Sequence, residues 1–393
     1  MESTTTAWLL YEITKSPVLL GLGGAVRAVS TITFGLIGGA VADRFPRRRL
    51  LFITQSSFAL SSLALGLLVV TGNVQFWHIY VFSAVNGAIG SFDGPARRSL
   101  FPTLVPRSDM QSAVMLNSAA IRTGRLIGPS IAGVIIAAYG PAISYFVNVV
   151  SYSAILIALA TMHIREAPLA RGGHILGAAF DGVRYMVRKP LLRSVLILES
   201  ITSVFGLNTA LVTIIASELN AGPTGLGLLL TSQSAGSLLG TSALVLTGDL
   251  EHKGRTMIAA GLGYATALAA LGSAASLEIG AAIIFVSGLT DALWSTIRTT
   301  IVQLETEAAY RGRSMGVLLL SGRGLTQLSQ LEGGLAVSVG GPAFALALGG
   351  ALIASVVIAV NAMTPEIRGY RGSPDPFAAI AADGVDEVAA GSD

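Results

Sequence analysis

Residues 44–75 read RFPRRRLLFITQSSFALSSLALGLLVVTGNVQ. An arginine-rich turn leads into a run from Leu50 to Val70 without an ionisable residue, and a loop without a basic residue follows. A helix of ~20 apolar residues crosses the ~30 Å hydrocarbon core of a bilayer. The same unit recurs in both directions along the chain. Spans are expected at 18–41, 50–70, 76–94, 113–139, 142–162, 191–216, 225–247, 256–275, 279–303, 314–339 and 343–363, eleven in all.

Basic residues fall on alternate connections. After the cluster at Arg44 and Arg47–Arg49, the same side receives Arg97, Arg98 and Arg107, then Arg165, Arg171, Arg184, Arg188 and Lys189. Lys253, Arg255, Arg311, Arg313, Arg368 and Arg371 continue the series, and Lys15 is the one basic residue in an opposite loop. The positive-inside rule makes the arginine-bearing side, and the C-terminus with it, cytoplasmic in a multi-pass protein of the cell membrane. Composition agrees: 52% hydrophobic and 12% charged residues, with a mean hydropathy of +0.70, leave too little polar surface for a water-soluble globule. The net charge of +3 marks topology and not nucleic-acid binding, and the 46 glycines suit closely packed spans. With no cysteine there is no disulfide or thiolate chemistry.

Thr4–Ile13 is half a span, ended by Lys15, Ser16 and Pro17, so the arithmetic points to a twelve-span chain whose first helix is incomplete. Residues 163–190 form the longest polar segment between spans, and Ile175, Leu176, Ala179, Val183, Tyr185, Met186 and Val187 fall largely along one side of a helix, which suits an amphipathic helix at the cytoplasmic interface. An offset of 201 residues aligns Arg122 with Arg323, Gly133 with Gly334, and Gly140-Pro141-Ala142 with Gly341-Pro342-Ala343. The expected fold is an all-α integral membrane protein of two pseudo-symmetric six-helix bundles. Residues 1–162 make the first, 163–190 the linker, 191–363 the second, and 364–393 a disordered tail. Parallel halves of this kind are a transporter architecture with substrate bound at the midplane between them.

The turn after the first full span, GGAVADRFPRRR (38–49), resembles the loop signature of the major facilitator superfamily, matched by Gly39, Asp43, Arg44, Arg48 and Arg49, with Pro46 where glycine is usual. YEITKSP (11–17), FDGPARRSLFPTLVPR (92–107), RLIGPSIAG (125–133) and AYRGRSMG (309–316) are similar to the drug and siderophore exporter branch, which includes enterobactin and macrolide efflux proteins. The resemblance runs to about residue 363 and implies a gate at the loop: Asp43 against the start of the helix near Arg313–Met315, and Arg44 with its basic neighbours against Asp93. An acid at that helix end can accept hydrogen bonds from a neighbouring helix N-terminus, whereas some of the arginines merely obey the inside rule. RLIGPSIAG resembles the fifth-helix signature of exporters. Arg125, Gly128, Pro129 and Gly133 stand in place, Ala132 replaces a second glycine, and Pro129 removes a backbone donor and favours a bend. Ordinary helix packing is the alternative.

Ionisable groups deep in a span face a partner or a wet cavity. Arg27, Arg122, Arg125, Glu199, Asp291, Arg323 and Glu332 qualify. Asp291, the deepest acid, is either the proton-carrying carboxylate or the partner of a deep arginine. Arg27 either meets an anionic group of the substrate or neutralises Glu199 or Asp291. Trp294, Asn117, Asn148 and Gln327, with Trp8, Tyr11, Tyr145, Tyr152, Asn86, Asn208 and Gln233, are the amphipathic side chains expected at a cavity for a bulky amphiphile, each with interhelical packing as its alternative.

None of Lys15, Lys189 and Lys253 sits in a phosphate-cradling GxxxxGK[ST] loop, the four histidines lack metal spacing, and there is no nucleophile elbow. No metal, cofactor or enzymatic chemistry is expected. The expectation is a monomeric secondary transporter that exports amphiphilic small molecules, drugs or siderophore-like compounds, by proton antiport. Import on the same fold and a non-transporting sensor or subunit are the alternatives.

Overall fold

The computed structural model describes residues 1–162, 175–248 and 250–371, apart from the side chains at 36–40, 42–44, 107, 175–180, 309, 319, 320 and 323. In chain order the helices are α1 (Glu2–Thr14), α2 (Pro17–Arg44), α3 (Arg47–Val70), α4 (Phe76–Leu100), α5 (Met110–Tyr139), α6 (Pro141–Thr161) and α7 (Ile175–Arg188). They continue with α8 (Pro190–Phe205), α9 (Thr209–Glu218), α10 (Gly222–Thr247), α11 (Lys253–Leu271), α12 (Leu277–Glu305), α13 (Ala308–Met363) and α14 (Pro365–Arg368). No strand occurs among the described residues. Eight stretches are long and apolar enough to cross a membrane by length and composition, and the last, Gly324–Met363, carries two helices in sequence.

Local chemistry sets these boundaries. Pro17, Pro141 and Pro190 open their helices, where the missing amide costs nothing. Ser16 adds a side-chain cap on the Leu19 amide. The sequence repeat has a backbone counterpart: Gly140 lies at φ 80°, ψ 169° and Gly341 at φ 80°, ψ 174°. Only glycine enters that region freely, and each is followed by a proline that starts the next helix, so both breaks are built alike. One expected span, 191–216, is interrupted between α8 and α9. There Asn208 caps α9 through the Leu211 amide at 3.0 Å and donates to the Ser329 carbonyl at 3.1 Å, while Tyr264 accepts the Leu207 N–H at 2.8 Å. A break inside the membrane is tolerated because protein side chains satisfy the freed backbone.

In the first group of helices α2 packs on α4, α3 on α4 and α6, and α5 on α6; in the second α10 and α11 pack on α12, and α13 on α8 and α11. Two long seams join them, α2 with the first arm of α13 and α5 with α10. Both are tight at the Lys15 side. A Cβ on Gly334 would strike the Pro17 carbonyl and Gly21, and one on Gly133 the Pro223 carbonyl and Gly227. Toward the arginine-bearing side the seams part: residues 114–125 of α5, three turns of helix, are exposed on every face. The molecule is a cleft closed at one end.

Two expectations about the connecting segments change. The linker helix α7 docks on α13 and not solely on a membrane surface. Tyr185 stacks on Tyr310 at 4.4 Å, Lys189 pairs with Glu307 at 2.9 Å, Asp181 pairs with Arg313 at 3.3 Å, and Met186 is fully buried. The tail is ordered through Arg371: Ile367 is buried, Tyr370 accepts the Gly254 amide at 3.1 Å, and its hydroxyl donates to Glu305 at 2.9 Å. Residues 163–174 and 372–393 lie outside the described residues.

Candidate functional site

A cavity of about 300 Å³ lies where α1, α2, α4, α9 and α13 converge. Ser3, Thr6, Arg27, Ser83, Thr209, Gln327 and Gln330 supply its polar wall; Leu10 and Leu20 are apolar. Gly23 and Gly24 leave the room: a side chain at Gly24 would collide with Gln330 and one at Gly23 with Leu10. Gln330 donates to Gln327 at 3.1 Å, which fixes both amides. Arg27 therefore projects into a polar space bounded by both helix groups, beside the first turn of α9, whose N-terminal dipole adds to the positive potential. Neither Glu199 nor Asp291 forms an ion pair with it.

A second, larger space of about 520 Å³ lies between α5, α10 and α12, lined by Arg122, Arg125, Gln233, Ser234 and Asp291. Arg122 donates to Thr241 at 3.3 Å. Glu199 is taken instead by Arg298, in an ion pair buried between α8 and α12 with side-chain exposures of 5% and 11%. That pair neutralises Glu199 and leaves Asp291 without a hydrogen bond or ion pair among the described residues. The Arg323 side chain lies outside them.

Of the loop signature, the side chains of Gly39, Asp43 and Arg44 also lie outside the described residues. Arg48 donates to the Leu159 and Ala160 carbonyls at 2.7 and 2.9 Å, holding α3 to the C-terminal end of α6, where a cation is favoured. Asp93 accepts from Gln55 at 2.6 Å and Thr54 at 3.0 Å and pairs with Arg97 at 3.2 Å, so its described partners are on α3 and α4.

The exporter-like segment has a more specific geometry. Pro129 lacks the amide that would bond the Arg125 carbonyl one turn back; Ser234 of α10 donates to that carbonyl at 3.1 Å. Thr231 donates to the next carbonyl, Leu126, at 3.1 Å and meets the Ser130 hydroxyl. Helix α5 continues through Pro129, Gly128 is half-buried, and Gly133 lets α10 approach closely. The proline thus frees an acceptor that the other group of helices uses.

Several amphipathic side chains are elsewhere. Trp294 is 1% exposed, its ring packed on the bare backbone of Gly261, and Asn148 is 8% exposed within the first group. Neither residue lines the two spaces described above, and interhelical packing is what both do here, with the Trp294 indole nitrogen and the Asn148 amide nitrogen buried without a hydrogen-bond partner among the described residues. Asn117 is exposed on α5, and Gln327 is in the cavity. Sequence reading passed over Glu2, which accepts from Asn86 at 2.7 Å and Tyr152 at 2.8 Å. Its signal was available: an acid on a half-span that two polar side chains of other spans must answer.

Two groups of helices meeting around a polar cavity are the architecture of a membrane transporter. Solved structures share this fold: a D-xylose-proton symporter (TM-score 0.70, 16% identity, 93% of this chain and 98% of that one), the nucleoside transporter NupG (0.70, 11%, 92% and 93%) and the xylose transporter XylE of E. coli (0.69, 15%, 92% of each). The family model for transmembrane secretion effectors matches residues 1–379, and the chain belongs to that family within the major facilitator superfamily. It is similar to the enterobactin exporter EntS of Shigella boydii serotype 4 (strain Sb227), 23% identical over 367 residues covering 92% of this chain and 87% of that protein. The EntS of Escherichia coli (strain SMS-3-5 / SECEC) is likewise 23% identical over 372 residues, 93% and 88% of the two chains. The relatives and the structural neighbours are transporters, not enzymes.

Proposed function

We propose that this transporter exports amphiphilic small molecules, drugs or siderophore-like compounds, from the cytoplasm in exchange for protons. The observation that carries the reading is the cavity at Arg27 and Gln327, walled by both groups of helices, in a molecule whose seams are tight at the Lys15 end and parted on the arginine-bearing side, where residues 114–125 are exposed. With that side cytoplasmic by the positive-inside rule, substrate enters from the cytoplasm, the groups rock about it, and release follows on the far side. Similarity to enterobactin exporters supports export over import. Asp291, unpaired and deep, is the carboxylate whose protonation resets the cycle, and Asp43 with Arg44 closes the inner gate.

Energised efflux of an amphiphilic dye and of a siderophore-like anion from cells carrying the chain tests this. Efflux that stops with a protonophore and fails in Asp291→Asn is the expected result. Accumulation of either compound instead would replace export with import, and protonophore-insensitive efflux would remove the proton.

A further inference from the structure

The crevice between α5, α10 and α12 holds two arginines from one helix group and one carboxylate from the other, and these do not meet. Among the described residues no carboxylate lies within 4.0 Å of Arg122 or Arg125; the described polar partner of the Arg122 guanidinium is the neutral Thr241 hydroxyl. Both arginines stand on the exposed stretch of α5, so their guanidinium groups are free to take an anion from the cleft. Two guanidinium groups against one carboxylate leave the space net positive whether or not Asp291 carries a proton. The rim is apolar. Ile121 of α5 and Leu238 of α10, 50% and 42% exposed, line the same space. At about 520 Å³ it is large enough for a headgroup and the first part of a chain, and Arg27 is not among its lining residues.

We propose that this crevice is a second binding site, distinct from the cavity at Arg27, for the oxyanion headgroup of an amphiphile: phosphate, sulfate or carboxylate on an apolar tail. The guanidinium forks of Arg122 and Arg125 grip the oxyanion and the Ile121–Leu238 rim takes the tail. Membrane lipid and free amphiphile share that chemistry.

Octyl phosphate is titrated by calorimetry into the full chain in phosphatidylcholine nanodiscs, with empty discs subtracted. We expect binding that weakens by about tenfold or more in Arg122→Gln/Arg125→Gln and persists in Arg122→Lys/Arg125→Lys. Octyl glucoside, with the same tail and no charge, binds at least as weakly as the glutamine variant does octyl phosphate. Wild-type affinity in the glutamine variant or equal affinity for the glucoside overturns the site. Repeating the titration in phosphatidylglycerol discs separates the sources, since competition there identifies lipid as the occupant and its absence a free amphiphile. The readout is binding, so the site stands or falls separately from the efflux measurement.

Discussion

Glu199 and Arg298 face one another where neither reaches water, and such a pair is worth most when one member is removed. Arg298→Met strands the carboxylate against Gly322, and Glu199→Gln strands the guanidinium, so each single change should cost ~3 kcal/mol or more, while the double change Glu199→Gln/Arg298→Met should recover most of it. Thermal unfolding of the purified chain in neutral detergent, monitored by fluorescence, checks this; additive losses in the double variant would show that the two groups do not depend on each other. Glu199 was legible as a deep acid, but its partner was not. Arg298 lies in the last third of α12, near the arginine-bearing end, where the inside rule already explains a base. Only the tertiary approach of α8 to α12 joins the two. Trp294 fails in the opposite sense, since a ring with a polar handle reads the same whether it faces a cavity or the bare backbone of Gly261.

At the scale of elements, α7 shows what an amphipathic pattern leaves open. Its apolar side fits a membrane surface or another helix equally well, and the choice of α13 depends on Tyr310, Glu307 and Arg313, well over a hundred residues away. The span positions were legible because hydropathy and arginine placement are local; the break at Asn208 was not, because it depends on Tyr264 and Ser329. The hydrogen bonds that the Lys189 ammonium donates to the Tyr185 hydroxyl and the Glu307 carboxylate raise Lys189 above the usual 10.5, and the same ammonium lowers Glu307 below the usual 4.5. The lysine's contribution is present below its unfolded value and lost as pH rises through the raised one. The carboxylate's is present above its unfolded value and lost as pH falls through the lowered one. The α7–α13 clasp should therefore hold between those limits and loosen in acid and in strong base. Both groups are largely exposed, so Glu307→Gln should change stability only slightly and the effect should fade in high salt, whereas Tyr310→Ala, which removes the stacked ring, should release α7. Protease sensitivity of the linker across pH 3–8, with and without salt, measures it; a Glu307→Gln effect as large as that of Tyr310→Ala would assign the docking to charge.

For the whole molecule, the closed end rests on two contacts related by the internal repeat. Pro17 and Gly21 of α2 face Gly334, and Pro223 and Gly227 of α10 face Gly133, so each seam sets a helix-opening proline and a glycine one turn later against a single glycine from the other group. Because Gly133 and Gly334 are equivalent in the repeat, a side chain at either should pry open its own seam, and both together should separate the groups at the Lys15 end. The atoms a Cβ would meet are largely backbone and cannot move aside singly. A chain without cysteine makes this measurable. With Thr6→Cys as a reporter in the cavity, a membrane-impermeant maleimide applied from the Lys15 side should react slowly in the parent and about tenfold faster or more in Gly133→Val/Gly334→Val, and reaction from the arginine-bearing side should fall in step. The reciprocal change is the discriminating part. A double variant that labels faster from both sides is merely loosened, whereas gain on one side matched by loss on the other means that the two glycine contacts hold one of two exchanging states.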